Sequence, residues 1–164
     1  MLEAIISHYP VQVLTPALLI HGTMEPMGSI LDFLNDAKRG SLAFVDATVY
    51  DLGGKFKPAK RRVVTIRKPE ICALYVDDEA GRKSVQVFKR AEPLIIHLPQ
   101  LVCRGNIHLG ADTRLPDVFD VLVGQFFVLT DVAVYPMIPM PGPFPAKADL
   151  ILSHKDTVQG YYQE

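Results

Sequence analysis

The sequence predicts an all-β chain of two tandem small β-barrels from an internal duplication, about five strands each, with a short helical turn in each unit. Three observations carry that expectation. The chain repeats itself, its apolar segments are short and rich in β-branched residues between Pro and Gly signals, and only two stretches have helical spacing.

The repeat comes first because it sets the architecture. Pro10, Pro16, Leu18 and Gly22 return as Pro93, Pro99, Leu101 and Gly105. Asp32, Asp46, Val49 and Tyr50 return as Asp117, Asp131, Val134 and Tyr135, so that "SLAFVDATVYD" is rewritten as "FFVLTDVAVYP". A third block, "PAKRRVVTIRKPEICALYV" from Pro58, is echoed by "PAKADLILSHKDTVQGYYQ" from Pro145. The matching blocks keep their order with small changes of spacing, which divides the chain into unit one at 10–77, a linker at 78–92 and unit two at 93–162.

Each element follows from local chemistry. "VQVLTPALLIHGTM" reads as a strand, a bend at Thr15-Pro16 and a second strand ending near Gly22. "SILDFLND" places Ile30, Phe33 and Leu34 on one helical face, with Ser29 or Asp32 able to cap it and Asn35 suited to the reversal that leads out. "LAFVDATVY" is a strand, and "VVTIRKPEICALYV" is two strands around a Lys68-Pro69-Glu70 turn. Unit two supplies the counterparts "RLPDVFDVL", "FFVLTDVAVY", "ADLILS" and "TVQGYY". Asp46 and Asp131 stand at matching places in or at the end of a strand, where a carboxylate is unusual and a turn, a bulge or a bond to a loop amide explains it. So few residues cannot cover a wide sandwich, and curling into small barrels removes the free edges. In the linker, "KSVQVFK" at 83–89 alternates apolar and polar residues and could add an extra strand to either unit.

Composition narrows the functional classes. The chain of 164 residues is 49% hydrophobic and can bury a core. Seventeen Lys plus Arg against eighteen Asp plus Glu give a net charge of −1, without the bulk basicity that draws a domain to nucleic acid or anionic membrane. Cys72 and Cys103 are too few for a disulfide framework and sit in apolar stretches, where a free thiol packs as a small hydrophobe. No stretch approaches the roughly 18 apolar residues of a membrane span, and the expected setting is a reducing cytoplasm.

The pieces "LLIHGTM", "DFLN", "LAFVDA" and "VVTIRKPEICAL" resemble, in that order, the two motifs of the Sm and Sm-like family of small β-barrels. The chain is also similar to an uncharacterised bacterial family with the same glycine, Asp-x-x-Asn and Asp-Ala pattern. There are departures: Arg67 is followed by Lys68 rather than Gly, and unit two carries Asp120 and His154 in place of the Asn and Arg. Sm-like proteins bind single-stranded RNA in rings, so the resemblance implies a nucleic-acid site at Asp32, Asn35, Arg67 and Lys68. An amide can read a base edge and a guanidinium can stack on a base or pair with phosphate. The carboxylate of Asp120 and the net charge argue against this, and RNA binding is the less favoured expectation.

Two surface features remain. "KFKPAKRR" gathers Lys55, Lys57, Lys60, Arg61 and Arg62 into a basic segment that could hold an anion, and unit two lacks it. "PMIPMPGPFPAK" at 136–147 spaces Met137, Ile138, Met140 and Phe144 between prolines, a loop expected to cover its own barrel or, failing that, to contact a partner. The five histidines are scattered and none recurs in the other copy, while the spacings of metal, nucleophile and phosphate-loop motifs are missing. The expectation is a non-enzymatic binding or assembly protein without cofactor or metal, homo-oligomeric or bound to a protein partner, with an enzyme bearing an unrecognised site as the alternative.

Overall fold

The computed structural model describes residues 5–164. Among the described residues ten strands form one antiparallel sheet, in keeping with the all-β expectation. In the first half, β1 (Tyr9–Leu14), β2 (Leu18–Met24), β3 (Ser41–Asp51), β4 (Ala59–Arg67) and β5 (Ala73–Val76) lie in the order β5-β1-β2-β3-β4. In the second, β6 (Arg90–Leu98), β7 (Leu101–Leu109), β8 (Phe126–Pro136), β9 (Lys147–His154) and β10 (Gly160–Tyr162) lie in the order β10-β6-β7-β8-β9. β5 pairs with β9, joining the two runs into a single sheet that does not close on itself and ends at β4 and β10. The short helices are α1 (Ile30–Leu34), α2 (Glu79–Ser84) and α3 (Val118–Val121).

The expected bend between β1 and β2 is built by Thr15, whose hydroxyl accepts from Leu18 N at 2.9 Å and Ala17 N at 3.3 Å. Ser29 caps α1 by accepting from Asp32 N at 3.1 Å, and the turn ends where Asn35 N donates to Leu31 O. Between β3 and β4 the Asp51 carboxylate gathers the N–H groups of Lys55, Gly53 and Phe56, and the Lys55 bond above all holds its pKa below the usual value.

The repeated glycines and aspartates belong to one device. The β2–β3 ladder shifts register between His21 and Thr23, so Gly22 opposes both Asp46 and Ala47. The β7–β8 ladder shifts between Arg104 and Asn106, so Gly105 opposes Asp131 and Val132. Asp46 (φ 49°) and Asp131 (φ 51°) occupy the left-handed region, which short polar side chains tolerate best after glycine. Their carboxylates are exposed, and the partner strand crowds in on the glycine. A Cβ on Gly22 would stand 3.1 Å from Ala47 Cβ, and one on Gly105 would stand 3.0 Å from the Thr130 carbonyl oxygen.

The stretch 83–89, read as able to add a strand, forms none. The Asp78 carboxylate accepts from Gly81 N at 2.7 Å and starts α2, and a Glu79–Lys83 pair at 2.7 Å runs along that helical turn. The strands that flank this stretch offer no open edge, because β5 lies between β9 and β1 and β6 lies between β10 and β7.

The core is shared between the halves. One buried cluster, around Val13, Ile20, Phe44 and Leu74, takes in Phe126, Val128, Leu150 and Leu152 from the second half. The other, around Leu101, Phe127, Leu129 and Ile151, takes in Leu14, Leu19, Cys72 and Ala73 from the first. Burial pushes the thiols of Cys72 and Cys103 up to about 12, which makes both inert at neutral pH.

Candidate assembly interface: an inner seam and two free edges

The inner seam is where β5 meets β9. Leu74 stands opposite Leu152, His154 N donates to Ile71 O at 3.2 Å, and the buried Ser153 hydroxyl donates to Cys72 O at 2.6 Å. Beside the ladder, Asn35 Oδ1 accepts from Gln125 N at 2.9 Å and from Phe126 N at 2.8 Å. α1 delivers that amide to the start of β8. Arg82 of the α2 turn donates to Val76 O and pairs with Asp149 of β9 at 2.6 Å. The ring of His154 is buried against Phe126, and its Nδ1 accepts from Asp156 N at 3.0 Å. Burial pulls the His154 pKa down, and Lys155 and Lys68 act in the same direction against Asp156.

The four residues that the resemblance implied as a nucleic-acid site fall in different surroundings. Asp32 is exposed in the first turn of α1, and Arg67 is exposed at the end of β4. Asn35 has its acceptor engaged by the other half of the same chain. Lys68 is 1% exposed, its ammonium donating to Asp36 O at 2.8 Å, with its pKa lowered by burial and partly restored by Asp36. Asn35 and Lys68 thus meet across the Asp36 backbone, while Asp32 and Arg67 face water.

Lys55, Lys57, Lys60, Arg61 and Arg62 are all exposed, and the last three border a shallow depression beside Asp46 on the free β4 edge. In the proline-rich loop, Met140 and Phe144 pack on the chain's own core while Met137 is exposed and Ile138 half-buried. The loop crosses to the first half. Pro143 O lies 2.6 Å from His21 Nε2, the distance of an N–H donation, and Gly142 lies against the Tyr50 ring, where a Cβ would come within 2.9 Å.

The free edges differ from the seam in what covers them. Under the repeat, Val63, Thr65 and Arg67 of β4 correspond to Leu150, Leu152 and His154 of β9. Leu150, Leu152 and His154 are 6%, 0% and 2% exposed beneath β5, whereas Val63, Thr65 and Arg67 are open to water. The β4 edge is basic through Lys60, Arg61, Arg62 and Arg67. The β10 strand itself carries no charge. The acidic groups near it are Asp117 and Asp120, which stand near enough to Tyr161 to add to the burial that raises its pKa, while Glu164 just beyond the strand is paired with Arg104.

Sequence reasoning missed Ser153, Gln125 and the Arg82–Asp149 pair. A signal was present in the contrast between "ADLILSH" and "AKRRVVTIR", since a near-continuous apolar run marks a covered strand and a run of cations marks an edge. An apolar cleft of about 360 Å³ also opens at the seam, lined by Leu31, Asn35, Phe88, His108, Val123 and Phe126 among others. Both nitrogens of His108 are engaged there, with Phe88 O and Thr130 Oγ1 each at 2.7 Å, so the cleft presents no free base.

Among the described residues no group of three or more His, Cys, Asp or Glu is placed to hold a metal ion, and no helix is long and apolar enough to cross a membrane. Comparison with family models, with curated proteins and with solved structures found no match.

Proposed function

We propose that this chain is a non-enzymatic assembly protein of the reducing cytoplasm, built from two duplicated Sm-like small barrels, and that copies join head to tail through the β4 edge of one and the β10 edge of the next. The observation that carries the reading is the exposure of β4 at the positions that its counterpart β9 buries. An edge of unpaired N–H and C=O groups is a template for a further strand, and basic and acidic flanks select the unlike edge over the like one. A contact between two unlike edges is heterologous, so it yields a ring where the rotation closes and a filament where it does not.

Single-stranded RNA binding is the less well supported reading, because the Asn35 acceptor is satisfied within the chain and the Lys68 ammonium is buried. The experiment is sedimentation velocity over a concentration series, with a Thr65→Pro variant beside the wild type. Proline is tolerated on an edge strand yet removes an outward donor. The wild type should sediment as an oligomer that dissociates on dilution, and Thr65→Pro as a folded monomer. A wild type that is monomeric at every concentration overturns the reading.

A further inference from the structure

The inner seam is a template for the outer one, and it identifies a residue that no part of the free chain explains. Asn35 clamps the inner seam by accepting from two consecutive backbone N–H groups, those of Gln125 and Phe126. The repeat places Asp120 where Asn35 stands, and Gly40 and Ser41 where Gln125 and Phe126 stand. The backbone agrees with that correspondence. Lys68 N donates to Gly40 O at 2.9 Å and Lys155 N donates to Gln125 O at 2.9 Å, so the two strand starts are held in the same way. Asp120 is exposed at the end of α3, on the side of the molecule that carries β10, while Gly40 and Ser41 lie at the start of β3, beside the end of β4.

Resting on the assembly reading, we infer that the Asp120 carboxylate of one copy accepts from the Gly40 and Ser41 N–H groups of the next, and that Tyr161 stands opposite Thr65 as Leu74 stands opposite Leu152. The occupant of each free edge is then a second copy of this chain in one defined register. A carboxylate suits this seam better than an amide would, since it has acceptors only and each bond to it is charge-assisted. It also lies near the cations that end β4. The inner seam needs no such charge because its two sides are already tethered in one chain.

The test is sedimentation velocity of full-length wild type, Asp120→Ala, Asp120→Asn and, as a control for lost charge, Asp112→Ala, with amide exchange of the peptide carrying Gly40 and Ser41 read at high and low protein concentration. Asp120→Ala should weaken association by about tenfold or more and abolish concentration-dependent protection of that peptide. Asp120→Asn should stay within about threefold of wild type, since its carbonyl can accept both bonds as Asn35 does. Asp112→Ala should match wild type. If wild type associates and Asp120→Ala associates equally well with the peptide still protected, the clamp is wrong and the assembly reading stands. If wild type does not associate, both fall together.

Discussion

Replacing Asn35 by alanine removes one acceptor and strands two donors. Gln125 N and Phe126 N both end on the same oxygen, at 2.9 and 2.8 Å, in a half-buried site where Gly124 lies against the amide, and a Cβ there would come within 2.8 Å of Asn35 Cγ. A buried donor left unsatisfied costs about 1–3 kcal/mol, and partial access to water puts this pair at the low end, about 2–3 kcal/mol for the two together. With a urea slope of roughly 2 kcal/mol per molar for a chain of this size, the midpoint should fall by about 1–1.5 M. The measurement is urea unfolding followed by far-ultraviolet circular dichroism, made in the Thr65→Pro background so that association does not enter. Asn35→Asp should recover most of the loss because a carboxylate accepts both bonds. Asp32→Ala and Arg67→Ala, which change exposed side chains, should stay within about 0.5 kcal/mol of their parent. An Asn35→Ala midpoint indistinguishable from the parent, or an Asn35→Asp variant as weak as the alanine, would refute the argument that this amide is a structural clamp.

Two further predictions concern the bulge and the seam. Gly105→Ala drives a Cβ to 3.0 Å from a backbone oxygen that the ladder holds in place, which should cost about 1–3 kcal/mol and lower the melting temperature by roughly 2–4 °C per kcal/mol in a calorimetric scan. His154 binds a proton less readily in the folded chain than its ordinary value of 6.5, chiefly through burial. The unfolded chain therefore takes up more protons below that pH, so stability is full above about 6.5 and declines as pH falls toward the folded value. Unfolding at pH 7.5 and pH 5 should show the loss in wild type and a flatter profile in His154→Gln; equal profiles would remove His154 as its source.

Much of the fold was legible because it rests on local signals. Thr15-Pro16, Ser29 before an apolar turn, and Lys68-Pro69-Glu70 each state a turn chemistry that the structure uses as written. The repeated aspartates read equally as a turn, a bulge or a bond to a loop amide, and only the register shifts opposite Gly22 and Gly105 resolve them as bulges. The linker misled because alternation over 83–89 carries a strand's period but cannot say whether an edge is free to receive it, and the Asp78 cap decided the outcome at the helix start. The seam was not legible for a related reason. Asn35 has the same letter whether it reads a base or accepts from Gln125, and only the position of β8 separates the two. The buried state of Lys68 was equally hidden, since a lysine beside Arg67 reads as part of a cationic surface until α1 and the segment after it are laid over it.

The seam also sets an order of events during synthesis. Cys72 and Ser153 are bonded across 81 residues, and Asn35 and Gln125 across 90. A nascent chain that has emerged as far as the linker has β1 to β5 in hand, yet β5 lacks its outer neighbour, and Leu74, paired with Val13 on one side, has nothing on the other. The first half must wait for nearly the whole of the second before its last strand is covered, an interval set by the rate of translation, at about 5–20 residues per second, and not by the speed of the folding step itself. During that wait the exposed β5 of one ribosome's product can accept β9 from another's. The hazard specific to this architecture is therefore an exchange of halves between chains made side by side, and it falls away once residue 154 has cleared the exit tunnel.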